Sequence, residues 1–269
     1  MQWLHTLHQA VDRLAMTPGI RQLGRRRHAR RFLRNTDENL FLGVFDSFDA
    51  AAAAAPRTGK LGYDNDDSAN LPYTSAIAPR DYPAMFWLGK SFTEGLHSVF
   101  DLGGHIGVKY YAFRRALSYP AALRWTVCDV PAVVARGREL ALARAPEGRL
   151  LFTSDHHAAT DHEVLFASGS LQYLPFTLAE LLQRLPRLPR RLVINGTPIH
   201  ESRAFFTLNS IGCAFCPYRV QARETFVSDI LALGYAKRDD WENTAKALTL
   251  PFQAGYDVPH YSGFCFDLP

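Results

Sequence analysis

From residue 82 onward the sequence alternates short apolar runs with stretches at helical spacing, and each apolar run closes on small or polar residues. Residues 98–102 end in Asp101-Leu102-Gly103-Gly104, residues 125–129 in Asp129-Val130-Pro131, and residues 149–153 in Ser154-Asp155. Residues 164–167 end in Ser168-Gly169-Ser170, and residues 191–195 in Asn195-Gly196-Thr197. Helices are predicted over 82–96, 108–117, 132–145 and 176–185. Short strands alternating with helices are the mark of βαβ units, so the pattern predicts an α/β fold with a doubly wound, mainly parallel sheet. Ligands of such sheets bind beyond the carboxyl ends of the strands, near the point where strand order reverses. The chemistry is therefore expected at those closing residues.

The flanks read differently. Residues 1–55 are predicted helical, with Phe41, Val44, Phe45 and Phe48 at helical spacing to dock on the rest, and Pro56 closes the alanine run 50–55. Residues 57–80 form an irregular linker. Its cluster Asp64-Asn65-Asp66-Asp67 lacks the glycine and distal glutamate of a calcium loop and reads as a polar turn. Residues 1–80 are thus expected to be an N-terminal helical extension and linker, able to act as a lid, and 81–269 the catalytic domain. The tail is predicted to hold a helix at 224–233 and strands at 234–239 and 261–267. No internal repeat is visible.

Composition narrows the class. With 269 residues, 47% of them hydrophobic, the chain can bury an ordinary core. No run approaches the roughly 18 apolar residues of a membrane span, and four cysteines are too few for a disulfide scaffold. A cytoplasmic protein without membrane contact is expected. The net charge of +4 is concentrated in Arg21, Arg25, Arg26, Arg27, Arg30, Arg31 and Arg34. The run lacks interleaved aromatics, so a solvated helix face is expected over an RNA contact or a targeting peptide.

The segment 101–107, Asp-Leu-Gly-Gly-His-Ile-Gly, resembles the first motif of class I S-adenosylmethionine (SAM) methyltransferases. Glycines let the backbone turn tightly and approach a cofactor. Asp129 follows at the end of the next strand, where an acid can accept hydrogen bonds from both ribose hydroxyls. A dinucleotide dehydrogenase also uses an acid there, but its G-x-G-x-x-G fingerprint is not matched by Gly103-Gly104-His105-Ile106-Gly107. SAM is the cofactor expected, as cosubstrate or sole substrate.

The stretch from about Phe41 to Asp267 is similar to a bacterial methyltransferase family whose relatives include enzymes that cyclise SAM to azetidine-2-carboxylate, releasing methylthioadenosine. The residues that carry the likeness are Gly62-Tyr63-Asp64, Tyr82-Pro83, the Gly loop, Ser170-Leu171-Gln172-Tyr173-Leu174 and Thr197-Pro198. The chain departs from the motif at His105, where glycine is usual. The resemblance implies that Asp101, Gly103, Gly104, His105 and Gly107 line the amino-acid portion of SAM. Asp129 and Val130 would hold the ribose, and Ser154 and Asp155 would edge the adenine. Ser168, Ser170, Gln172 and Tyr173 would face the sulfonium as candidate catalytic groups. Asp155 can equally cap a turn, the serines can be ordinary strand-end partners, and Tyr110, Tyr111 and Tyr173 can be core. The implied activity is SAM cyclisation, with methyl transfer to a small-molecule acceptor as the alternative and a non-catalytic SAM-fold or RNA-binding protein as a third class.

Other constellations are weaker. Cys213-Ala214-Phe215-Cys216 has metal-site spacing but no second pair of ligands, so no metal is expected and the thiols read as part of a turn before Pro217. His156, His157 and His162 share a loop with Asp155 and Asp161 and are read as solvated. His200, just after the fifth strand, is a candidate general base or a surface histidine.

Overall fold

The computed structural model describes residues 18–57, 59–72 and 76–269. The chain enters through helix α1 (Pro18–Leu33), strand β1 (Leu40–Phe45), helix α2 (Phe48–Ala53), the two-residue strand β2 (Lys60–Leu61) and the turn of helix α3 (Asp66–Ala69). The alternating region follows: α4 (Tyr82–Thr93), β3 (Ser98–Leu102), α5 (Val108–Phe113), β4 (Arg124–Cys128), α6 (Pro131–Arg144), β5 (Leu150–Thr153), β6 (Val164–Ser168), α7 (Leu178–Gln183) and β7 (Arg191–Thr197). The tail adds β8 (Ile199–His200), β9 (Phe205–Ser210), β10 (Ala214–Ala222), α8 (Arg223–Leu231), β11 (Ala236–Asn243) and β12 (Tyr261–Asp267).

Seven strands form the main sheet in the order β11-β12-β7-β6-β3-β4-β5. Strands β3 to β7 pair in parallel, and β12 lies antiparallel between β7 and β11. From β3 the chain builds β4 and β5 on one side, then returns to build β6 and β7 on the other. The order therefore reverses between β3 and β6. This is the doubly wound, mainly parallel α/β sheet that the alternation predicts, and its switch point fixes where a ligand belongs.

Both faces of the sheet are covered, as a parallel sheet requires. Neighbouring residues on one strand serve opposite cores because strand side chains alternate. Phe166 and Val193 join Leu88, Trp125 and Phe113 on one face, while Leu165 and Leu192 join Leu182, Phe226 and Phe264 on the other. At the amino end of β7 the buried Arg191 guanidinium binds Asp267 through Nε at 2.6 Å and Glu94 at 2.9 Å, and donates to Ser91 Oγ at 3.1 Å. Its charge is thereby matched from both α4 and β12.

The flanks correct the sequence reading. Residues 40–45, expected to be helical, are a strand. β1 pairs antiparallel with β9, Leu40 opposite Ser210 and Leu42 opposite Leu208. A short run such as Leu40-Phe41-Leu42 fits either period, and only a partner strand decides. Phe48, the last member of the expected stripe, instead begins α2. The part of the helical expectation on residues 1–17 lies outside the described residues. Residues 205–222, read from the sequence without elements, form the hairpin β9–β10. Pro217 lies inside β10 opposite Leu208 rather than after a turn. The resulting second sheet runs β1-β9-β10-β2, with β8 on β10. Helix α1 exposes Arg25, Arg26, Arg27, Arg30 and Arg31, with Arg34 exposed just beyond it, and buries Phe32 against Leu208 and Phe215.

The turn of the hairpin is packed on the entering chain. Gly212 has φ +89°, and a Cβ there would stand 2.3 Å from the Thr36 carbonyl oxygen. Gly212→Ala is expected to cost about 2 kcal/mol or more through strain and steric conflict. That corresponds to a melting temperature lower by roughly 4–8 °C, read by circular dichroism. An unchanged melting temperature would show that the turn does not rest on residue 36.

Candidate functional site

At the switch point the loops after β3 and β6 grip each other. Ser170 Oγ donates to the Leu102 carbonyl, and the Gly103 amide donates to Cys128 O at 2.7 Å. Gly103 has φ +73°, and a Cβ on it would lie 2.2 Å from that of Ser170. Only glycine permits this approach. A Cβ on Gly104 would stand 2.4 Å from the Asp101 carboxylate, and Gly107 has φ +86°. His105 takes φ +55°, a left-handed conformation that explains why glycine is usual there and that histidine visits more readily than most residues.

Asp129 stands at the end of β4 beside this loop. Its Oδ2 accepts from the His105 amide at 2.8 Å and its Oδ1 from the Val130 amide at 2.8 Å. Burial raises its pKa, while the Val130 amide, the His105 ring and the His105 amide pull the other way. Two anchored oxygens with lone pairs to spare suit a carboxylate that must also accept from a diol. Asp101 is fully buried, with Oδ2 accepting from Trp125 Nε1 at 3.0 Å. Its Oδ1 has no hydrogen-bond partner among the described residues, and burial pushes its pKa up to about 7.

A segment expected to be a mere polar turn crosses this site. Asp64 Oδ1 accepts from the Ala132 amide at 3.0 Å at the start of α6. The His105 ring donates from Nε2 to Ser68 O at 2.9 Å, and its pKa is lowered chiefly by burial. Asn65 caps the intervening turn through the Ser68 amide. Residues 64–68 therefore bridge the Gly loop and the helix that follows Asp129. Gly62-Tyr63-Asp64 was legible as a motif, but its destination was not.

Beyond β6 and β7 lies a chain of polar groups. Trp241 Nε1 donates to Asn195 Oδ1 at 3.1 Å, and Asn195 Nδ2 to Ser168 Oγ at 3.3 Å. Gln172 Nε2 donates to Gly169 O at 2.7 Å, and its buried Oε1 has no partner among the described residues. The Tyr173 ring meets those of Tyr63 and Tyr218 edge to face, each at 5.0 Å. Its hydroxyl donates to Asn209 Oδ1 at 3.0 Å, and enclosure raises its pKa well above the usual range. Tyr110 belongs to the core instead, among Trp125, Tyr119 and Tyr111.

Asp101, Gly103, Gly104, His105, Gly107, Asp129, Val130, Ser168, Ser170, Gln172 and Tyr173 thus share the carboxyl edge of β3, β4 and β6. Ser154 and Asp155 are exposed at the end of β5, where Asp155 Oδ1 caps a 3-10 turn by accepting from the His157 amide at 2.8 Å. His200 is tied into the β8 loop. Its Nδ1 accepts from the Ser202 and Arg203 amides at 3.1 and 3.0 Å, so Nε2 carries the proton and donates to Gly255 O at 3.1 Å. Neither nitrogen is left for a base. His162 is not solvated: it is buried between Ala158 O and Thr126 Oγ1, at 2.8 Å each. Cys216 lies within β10, where burial pushes its thiol up to about 12. Asn195 stood among the strand-closing residues, whereas sequence reasoning missed Ser68, Tyr218 and Trp241, which local pattern does not mark.

No protein-family model matches the chain, and no curated protein sequence matches it. Solved structures do align. The 1,6-didemethyltoxoflavin N1-methyltransferase of Burkholderia thailandensis, with bound 1,6-didemethyltoxoflavin and S-adenosylhomocysteine, is 16% identical, with 71% of this chain and 91% of that one covered and a TM-score of 0.41. The CcbJ methyltransferase of Streptomyces caelestis is 14% identical over 77% of this chain and 97% of its own, with a TM-score of 0.45. Magnesium protoporphyrin IX methyltransferase of Synechocystis PCC 6803, with bound SAM, is 12% identical over 70% and 77%, with a TM-score of 0.44. The strand order and the switch point themselves define the fold.

Asp101 supplies a test of the site's electrostatics. Its folded-state pKa of about 7 lies above the ordinary 3.8, so the folded protein holds a proton that the unfolded chain releases. Its contribution to stability is fully present below about pH 4 and is lost as pH rises towards 7. Asp101→Asn should be flatter than the parent between these limits in urea unfolding followed against pH. Parallel pH profiles would show Asp101 ionised throughout.

Proposed function

We propose that this chain is a SAM-consuming enzyme of small-molecule metabolism that transfers the SAM methyl group to a small acceptor. The observation that carries SAM use is Asp129, anchored by two amides and set beside a loop whose glycines bring backbone against the neighbouring strand end. The residues fit the cofactor. Gly103, Gly104 and Gly107 bring no side chain to the loop at their own positions, and Asp129 retains acceptor capacity for a ribose. Val130 shares the carboxylate's anchor. Asp64 and Ser68 would then close over the nucleoside as the covering piece of the N-terminal region, the lid assigned to residues 1–80.

SAM supplies an electrophilic methyl group on a sulfonium, so the protein mainly has to orient partners and exclude water. Ser168, Asn195 and Gln172 are suited to position polar groups at the end of β6. The Tyr63, Tyr173 and Tyr218 rings suit a cation, an attraction worth roughly 0.5–2 kcal/mol. A second reading is favoured by the same tyrosine array together with the sequence resemblance. In it the neutral amine of SAM attacks its own Cγ, the C–S bond breaks, methylthioadenosine leaves and the amine proton is released. The enclosing rings would there hold the folded chain of SAM in place of an acceptor.

Incubation of the purified protein with SAM alone, resolved by mass spectrometry, separates the readings. Unchanged SAM is expected, with methyl transfer appearing when acceptors are added. Methylthioadenosine with a cyclic amino acid overturns methyl transfer in favour of cyclisation. In calorimetry S-adenosylhomocysteine should bind and NAD should not. Asp129→Ala should weaken that binding by about 2–3 kcal/mol, and an unchanged dissociation constant in a folded variant removes Asp129 from the ribose.

Tyr173 should act through its ring, because Asn209 already takes its hydroxyl proton. Tyr173→Phe is expected to keep most turnover, whereas Tyr173→Ala should lower turnover by more than its loss of SAM affinity. A purely structural ring would lower the melting temperature and leave turnover per folded molecule unchanged.

A further inference from the structure

Of the two serines at the end of β6, only one keeps its proton unspent. Ser170 Oγ donates to the Leu102 carbonyl. Ser168 Oγ accepts from Asn195 Nδ2 at 3.3 Å, and among the described residues it donates to none. The direction of that bond is fixed by Trp241. An indole N–H can only donate, so the Asn195 atom 3.1 Å from Trp241 Nε1 must be the amide oxygen. The other end of the amide is then a donor, and Ser168 Oγ accepts from it. With that lone pair taken, the hydroxyl proton turns to whatever lies beyond the strand end.

Trp241 reaches Asn195 by passing over an intervening strand. It stands on β11 opposite Gly263 of β12, where a Cβ would lie 2.1 Å from the indole. β12 also bulges at this point, between Ser262 and Phe264, facing residues 194–197 of β7. A bare backbone at a bulge lets the edge strand's side chain touch the second strand inward. Asn195 is buried, whereas Ser168 is half-buried and keeps accessible surface. The relay therefore runs from packed side chains to a surface that a ligand can meet.

Strand register says what that ligand offers. β6 pairs in parallel with β3, Phe166 opposite Asp101, so Ser168, two residues on, stands beside Gly103. It shares its strand face with Phe166, the face that packs against Phe113 of α5, the helix following the Gly loop. With SAM as the ligand, its methionyl portion lies there. That portion ends in an ammonium, which only donates, and a carboxylate, which only accepts. An unspent hydroxyl proton complements the carboxylate.

We propose that Trp241 is a positioning residue for SAM: acting through Asn195, it aims the Ser168 hydroxyl proton at the methionyl carboxylate. This role presupposes the SAM use put forward above, and a hydrogen bond to a charged acceptor is of the stronger kind.

Two nucleosides test it. S-adenosylhomocysteine carries the amino-acid carboxylate and methylthioadenosine lacks it, and each is titrated calorimetrically into the full chain. Ser168→Ala should weaken S-adenosylhomocysteine about tenfold or more while methylthioadenosine stays within about twofold. Trp241→Phe keeps a ring but loses the N–H, so Asn195 is free to turn, and the same selective loss of about three- to tenfold is expected. Asn195→Asp offers only acceptors, takes the Ser168 proton for itself, and should cost at least as much as Ser168→Ala. In the Ser168→Ala background Trp241→Phe should add less than about twofold, because its effect passes through that hydroxyl. Should Trp241→Phe not fold, Gly263→Ala displaces the indole instead, and Ser168→Ala is decisive by itself for the carboxylate. Equal losses for both nucleosides in Ser168→Ala, or no loss for either, overturn the proposal. Additive effects of Ser168→Ala and Trp241→Phe also overturn it, by making the indole a packing group. A parent protein that binds neither nucleoside defeats SAM use itself, whereas one that binds both beside indifferent variants removes only Ser168 from the carboxylate.

Discussion

The contact between Gly103 and Ser170 is the constraint on which the rest of the site depends. Parallel strands β3 and β6 are neighbours in the sheet but are separated in sequence by two strands and two helices. Their outgoing loops must part to opposite sides, which opens a crevice at the carboxyl edge. The Ser170 hydroxyl on Leu102 O sets the width of that crevice. With a side chain at position 103 the two loops could not approach, and the residues placed by them, from His105 to Tyr173, would lose their common frame.

The second sheet turns this open crevice into a covered one. Its strands come from both ends of the chain, β1 and β2 from the N-terminal region and β8 to β10 from the tail. β1 and β2 pair with β9 and β10 rather than with each other, so the N-terminal region contributes to the sheet only through the tail's strands. β10 carries Tyr218 towards Tyr173 and Tyr261, and β9 carries Asn209 to the Tyr173 hydroxyl. Just beyond β2, residues 64–68 reach the Gly loop and the first turn of α6. The sheet thereby joins the entering chain to the edge where the chemistry is expected.

Buried charge is handled in three ways, and the differences separate scaffold from site. Arg191 is fully matched by carboxylates and a hydroxyl, as a structural charge must be. Asp101 has a single donor among the described residues and is driven towards its neutral form. Lys246, half-buried, stands over the Tyr261 ring and pairs with no carboxylate among the described residues. Incompletely satisfied groups cost stability, and they concentrate where a ligand can complete them. Asp101 and Lys246 both lie at the carboxyl edge of the main sheet, whereas Arg191 lies at its amino end.

The sequence by itself determined the parallel strands, their helices and the Gly loop with Asp129, because those signals are local. A buried strand must be a short apolar run, its end must be small or polar to turn, and the helix between must repeat every 3.6 residues. It also placed Ser168, Ser170, Gln172 and Tyr173 at the carboxyl end of β6, since the alternation implies that strand's direction. Tertiary structure alone decided the state of residues 40–45, where a helical and an extended reading of Leu40-Phe41-Leu42 differ only in whether β9 is alongside. It alone decided that His200 is spent on backbone amides while Asp64 and Ser68 reach the site. It also left Lys246 without a carboxylate among the described residues, because a charge is paired only by what other parts of the chain bring to it. Local pattern specifies elements; partners distant in sequence specify what a side chain is free to do.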